Sequence, residues 1–199
     1  MKKVSDIHAI KIIFFITACY VGLWAIRIPT IKDQLQTDYV GVGYIMLSFA
    51  IGSIVAMIFA NALILKTSTK SILTCTLIAE GCLWLPVPFI QELWLFMVFS
   101  FVFGMSYGAF EIACNVYASN LEVREKKSMM SGFHAFWSLG VLFGSLITSF
   151  LLEWNYSFIF NILLYVVILL PLSLYFVLCL ESQVETKSEA VSYTHLTLP

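Results

Sequence analysis

Two carboxylates, an amide and an imidazole fall in this sequence where an apolar helix would bury them. Glu111 and Asn115 are four residues apart in Gly108-Ala-Phe-Glu-Ile-Ala-Cys-Asn115, so a helix puts both on one face. Glu80 lies inside a second apolar run, His134 and Trp137 inside a third, and Arg27 at the end of a fourth, after Trp24 and before Pro29. A charge at the centre of a bilayer costs at least ~2.5–3.5 kcal/mol on insertion scales, so each needs a reason. For Glu111 the chemistry is proton carriage: a carboxylate lining an aqueous cavity, protonated and deprotonated in turn. The competing reading is adhesion between helices, worth about 0.6 kcal/mol per hydrogen bond in membranes. Glutamine or serine would serve for adhesion, which makes glutamate a poor choice for it. Asn115 and His134 admit either solute binding or satisfied packing. Glu80 admits a neighbouring helix as its partner, and Arg27 either snorkels outward or stands at a cavity mouth.

The elements that position these residues follow from composition. Of the 199 residues, 60% are hydrophobic and 12% charged, with mean hydropathy +0.92. A soluble domain carries roughly a quarter charged residues and about half apolar ones. An ordinary cytosolic enzyme, a nucleic-acid binder and a disordered chain are therefore excluded, and a net charge of −1 offers no basic field to DNA. Six long apolar stretches run at about Ala9–Ile28, Val40–Leu65, Ile72–Ile90, Leu93–Tyr117, Met130–Leu152 and Phe158–Leu180. Each crosses ~30 Å of hydrocarbon as a helix at 1.5 Å per residue. Runs such as Trp94–Phe103 do not alternate apolar with polar, so strands of a membrane barrel are excluded.

Lys and Arg set the orientation. Lys2, Lys3, Lys11, Lys66, Lys70, Arg124, Lys126, Lys127 and Lys187 fall on one side, and only Arg27 and Lys32 on the other. Both termini are therefore expected in the cytoplasm of a cell or inner membrane. The first span opens with Lys-Lys but continues through Tyr20-Val-Gly-Leu-Trp24 with no small-residue cleavage site, so it is expected to be retained. Gln91-Glu92 and Glu153–Ser157 read as minimal outer turns, and Ala118–Met129 as the longest inner loop. The five cysteines sit within spans without metal-ligand spacing, so no metal or cofactor is expected. Gly104/Gly108 and Gly140/Gly144 are GxxxG pairs, which suit close packing, whether rocking or static.

Depth along the fourth and fifth helices follows from 1.5 Å per residue: Glu111 ~15 Å from the cytoplasmic end, Asn115 ~9 Å and His134 ~8 Å. Facing helices would then form a ladder of Asn115 with His134, and of Glu111 with Trp137 and Ser138. The same arithmetic weighs against a membrane serine protease, because Ser106 lies ~22 Å deep, far from His134.

Trp24-Ala-Ile-Arg-Ile-Pro29, Gly108–Asn115 and Ser131-Gly-Phe-His-Ala-Phe-Trp-Ser-Leu-Gly140 together resemble the amino-terminal half of a major facilitator superfamily transporter, in the fucose permease-like branch. The resemblance implies an all-α membrane fold of six transmembrane helices, built as two inverted three-helix repeats and facing a second six-helix half that is missing here. It implies proton-coupled alternating access for a small polar solute, sugar-like or an organic acid. Glu111, Asn115, His134, Trp137 and Arg27 would line the site, with Glu111 as the protonatable group. Trp137 stands where the sugar carriers have an amide. Between the second and third spans, Asn61–Lys70 keeps two basic residues of the family's loop signature and lacks its aspartate and glycines. A non-transporting sensor or assembly subunit is the alternative, and it would tolerate Glu111→Gln. Residues 1–190 are expected to form the six-helix unit. Val191–Pro199 has a different texture, resembles a translated sequencing-library adapter, and is expected not to belong to the natural chain.

Overall fold

Six helices follow one another in the computed structural model, which describes residues 5–181 and, within them, all side chains except those of residues 60–63, 65 and 66. They are α1 (Asp6–Gln34), α2 (Tyr39–Lys66), α3 (Thr69–Trp84), α4 (Leu93–Glu125), α5 (Met130–Glu153) and α6 (Phe158–Cys179). A 3-10 turn, Val87–Phe89, extends α3, and no strand occurs among the described residues. All six spans are long and apolar enough to cross a membrane, that of α3 by including the 3-10 turn. The Val191–Pro199 segment and the side chain of Asn61 lie outside the described residues.

The helix ends have local causes. Ser68 and Ser157 cap α3 and α6 by accepting from the amides of Ser71 and Phe160, each at 3.1 Å. Three helices stop on a residue in the left-handed region: Gln36 after α1, Lys126 after α4 and Asn155 after α5. Each stop is closed by a bond from the next amide to the carbonyl five residues back, Thr37 to Lys32, Lys127 to Glu122 and Tyr156 to Leu151.

One expectation needs correcting. The inner loop expected over Ala118–Met129 is mostly helix, because α4 runs on to Glu125 and leaves only residues 126–129 as the turn. The reason is amphipathic: Ala118 and Leu121 bury one face of this extension in the core while Val123–Glu125 face out. The Glu122 carboxylate then accepts from the amides of Met129 and Met130, so α4 caps the start of α5.

The packing repeats itself. α1 runs along α5 as α4 runs along α2, while α6 leans on α1 as α3 leans on α4. Exchanging the first three helices with the last three therefore preserves the neighbours, as two three-helix repeats require. The two long contacts are closed by glycine. A side-chain carbon at Gly140 or Gly144 would collide with the Phe15 or Cys19 carbonyl of α1, and one at Gly104 or Gly108 with the Phe49 or Ser53 carbonyl of α2.

The core divides in two along the bundle. One cluster, including Ile10, Tyr117 and Phe133, fills the end where α1 begins and α6 stops, the terminal end. The other, including Leu23, Trp84 and Phe96, fills the Arg27 end. At the terminal end Arg124 pairs with buried Asp6 at 2.8 Å, and Asp6 also accepts from the Glu181 amide at 3.2 Å. Lys70 Nζ donates to the carbonyls of Leu178 and Leu180, tying the start of α3 to the end of α6. Exposed Trp94, Trp154 and Phe89 ring the Arg27 end, where aromatic side chains sit at headgroup depth.

Candidate functional site

α4 presents Tyr107, Glu111 and Asn115 at four-residue intervals, all half-buried. The Trp137 indole of α5 lies against the Tyr107 hydroxyl, which is also near both Glu111 and Glu80. Trp137 and Glu111 thus belong to one neighbourhood, with Tyr107 between them. Sequence reasoning did not single out Tyr107, although its place one turn before Glu111 was a usable signal.

The expected ladder forms differently. Asn115 Nδ2 donates to the Glu111 carbonyl of its own helix at 2.9 Å, and Ser138 Oγ to the His134 carbonyl at 3.1 Å. The cause is geometric: a carbonyl one turn back is always within reach, whereas α4 and α5 touch only slightly. His134 is exposed, its ring set edge-on to Phe14 of α1 at 5.7 Å. It stands on the same helix face as Trp137, one turn nearer the terminal end.

Arg27 stands apart from this group. It is 2% exposed, donates through Nε to Asn161 Oδ1 at 3.1 Å and through a terminal nitrogen to the Tyr156 carbonyl at 3.3 Å. Its guanidinium also lies over the Phe158 ring, 5.4 Å from the centroid. These partners all belong to α6 or the turn before it, so the side chain turns away from Glu111.

Glu80 faces a neighbouring helix, one of the readings its position in the sequence admits, and is buried between α3 and α4. It lies in the wall of a cavity of about 370 Å³ bounded by α1, α2, α3 and α4. A smaller void beside it is shared with Thr76, Ser106 and Tyr107. Ser106, weighed above as a nucleophile, is thus on the α3 side of α4, while His134 is on α5 against α1. Among the described residues, no three of His, Cys, Asp and Glu come together as a metal site.

Residues 12–197 match the sequence model of the Major Facilitator Superfamily. The chain is 28% identical over 145 residues to an uncharacterized MFS-type transporter of Yersinia pestis, covering 71% of this chain and 37% of that one. It is 25% identical over 141 residues to an uncharacterized transporter of Sinorhizobium fredii, covering 66% of this chain and 35% of the relative. The aligned region thus spans little more than a third of these curated relatives. No solved structure matches the chain.

Proposed function

Because the chain belongs to the Major Facilitator Superfamily, we propose that it is the amino-terminal six-helix part of a carrier that moves a small polar solute together with protons by alternating access. The observation that carries this reading is Glu111. Its half-buried carboxylate meets no cation among the described residues, on a helix face that also bears Tyr107 and Asn115 and adjoins Trp137. Protonation removes the charge that closing the cavity would otherwise bury, so the loaded carrier closes at lower cost.

The solute is sugar-like or an organic acid, in keeping with the fucose permease-like pattern of Gly108–Asn115 and Ser131–Gly140. Asn115 and His134 supply hydrogen bonds to it, and the Trp137 ring supplies a flat apolar face. Arg27 contributes by holding α1 to α6 at the far end of the bundle. A second six-helix half covers the polar face, because a lone half would leave that face against lipid. The protein sits in the cell membrane with both termini in the cytoplasm.

The test uses the full-length protein in proteoliposomes loaded with a pH-sensitive dye. Hexoses and short carboxylic acids are presented one at a time, with protein-free liposomes correcting for acid leakage. A solute of this class is expected to move protons inward as it enters. Saturable solute uptake without proton movement would overturn the coupling, and absence of uptake for the whole panel would overturn the substrate class.

A further inference from the structure

The cavity that Glu80 borders has a wall chemistry unlike that of the Glu111 face. Tyr20, Trp24, Phe49, Trp84, Phe103 and Tyr107 turn rings toward its 370 Å³, a volume in the range of small-molecule sites. The rings support one another: Tyr20 stacks on Trp84 at 6.0 Å, and Trp24 and Phe103 meet Trp84 edge-on at 6.3 and 5.7 Å. A wall braced in this way is pre-formed, so a ligand need not order it.

Among the described residues, Glu80 and Trp84 in the wall have polar atoms without partners. Glu80 is 7% exposed, and no cation or hydrogen-bond donor meets its carboxylate among the described residues. Trp84 is 3% exposed, and its Nε1–H has no acceptor among the described residues. Neither lysine nor arginine lines the cavity, and Arg27, the basic residue deepest in α1, is engaged by Asn161. A buried carboxylate without a counter-charge is costly, and the described residues supply none here. Aromatic faces and a carboxylate attract the same kind of ligand, because both present negative charge to a cation. The indole N–H asks for an acceptor atom on that ligand.

We propose that this cavity is a second small-molecule site, selective for an organic cation that sets an ammonium group against Glu80, an apolar body among the rings and an acceptor atom toward Trp84 Nε1. The site adjoins the Glu111 face across Tyr107 but does not depend on the solute reading above, since its contacts come from other residues.

The probe is radiolabelled benzoylcholine, which carries a ring, an ester acceptor and a quaternary ammonium. Binding is measured on the full chain in lipid nanodiscs, with empty nanodiscs subtracted. Saturable binding is expected, with at least about tenfold weaker competition by 3,3-dimethylbutyl benzoate, its neutral carbon isostere. Glu80→Gln, which keeps shape and removes charge, should lose tenfold or more in affinity. Trp84→Phe, which keeps the aromatic face, should lose less than Glu80→Gln. Equal competition by the neutral isostere would overturn the proposal on the unaltered protein alone, even if the variants fail to fold. So would unchanged affinity in a folded Glu80→Gln, or no saturable binding up to millimolar probe.

Discussion

Arg27 Nε donates to Asn161 Oδ1 at 3.1 Å, so the arginine of α1 is committed to α6 and not to the space beside Glu111. Both side chains are fully enclosed, and among the described residues the Asn161 Nδ2 atom has no partner of its own. The pair therefore acts as a bolt between the first and last helices. Replacing Asn161 with Ala leaves a buried guanidinium short of an acceptor, which costs about 1.5–3 kcal/mol. A lower thermal midpoint in detergent is expected for Asn161→Ala. Tyr156→Phe, which keeps the backbone carbonyl that Arg27 uses, should leave that midpoint unchanged.

The glycine contacts separate positions that a sequence motif treats alike. A methyl group at Gly108 meets the Ser53 carbonyl, whereas one at Gly43 meets nothing within 4 Å. Gly108→Ala should destabilise the bundle by about 1–3 kcal/mol, because backbone cannot yield as a side chain can. Gly43→Ala should be neutral or stabilising by up to about 1 kcal/mol through helix propensity. Thermal unfolding of the two variants side by side checks both signs.

At the terminal end, Asp6 is the buried partner in its ion pair with Arg124, with side-chain exposures of 4% and 41%. Removing the arginine leaves this buried carboxylate without its cation, although the Glu181 amide still donates to it. Arg124→Ala should therefore lower stability more than Glu125→Ala, whose carboxylate is exposed and merely flanks the same arginine. Limited proteolysis near the termini, faster in Arg124→Ala than in Glu125→Ala, is the readout.

The fold was largely legible because bilayer length and apolarity are written into continuous runs. The helix class and six spans followed from hydropathy alone, and the GxxxG pairs flagged the close contacts that Gly104, Gly108, Gly140 and Gly144 make. What hydropathy does not encode is direction around each helix axis. That is why the sequence left open which way Arg27 points, and did not reveal that it bonds to Asn161 of α6 or that Asn115 and Ser138 bond to carbonyls of their own helices. Charge pattern likewise misled at Ala118–Glu125, where a solvated string of acids and bases is a helix with one buried face. The Glu80 cavity escaped notice because its wall draws rings from four helices, and no single stretch carries that pattern.

Orientation rests on nine basic residues against two and is open to direct labelling. In a background lacking the native cysteines, Glu92→Cys and Lys127→Cys lie at exposed turns on opposite ends of the bundle. A membrane-impermeant maleimide applied to intact cells should label Glu92→Cys and spare Lys127→Cys, with the pattern reversed in inside-out vesicles.

The central claim is that Glu111 carries the coupled proton, and exchange against accumulation tests it most directly. The Glu111→Gln substitution mimics the permanently protonated carrier, which can still shuttle solute between faces but cannot harvest a proton gradient. In proteoliposomes of the full-length protein, Glu111→Gln should retain solute counterflow while accumulation driven by an imposed proton gradient falls at least tenfold. Accumulation equal to that of the unaltered protein would contradict the account.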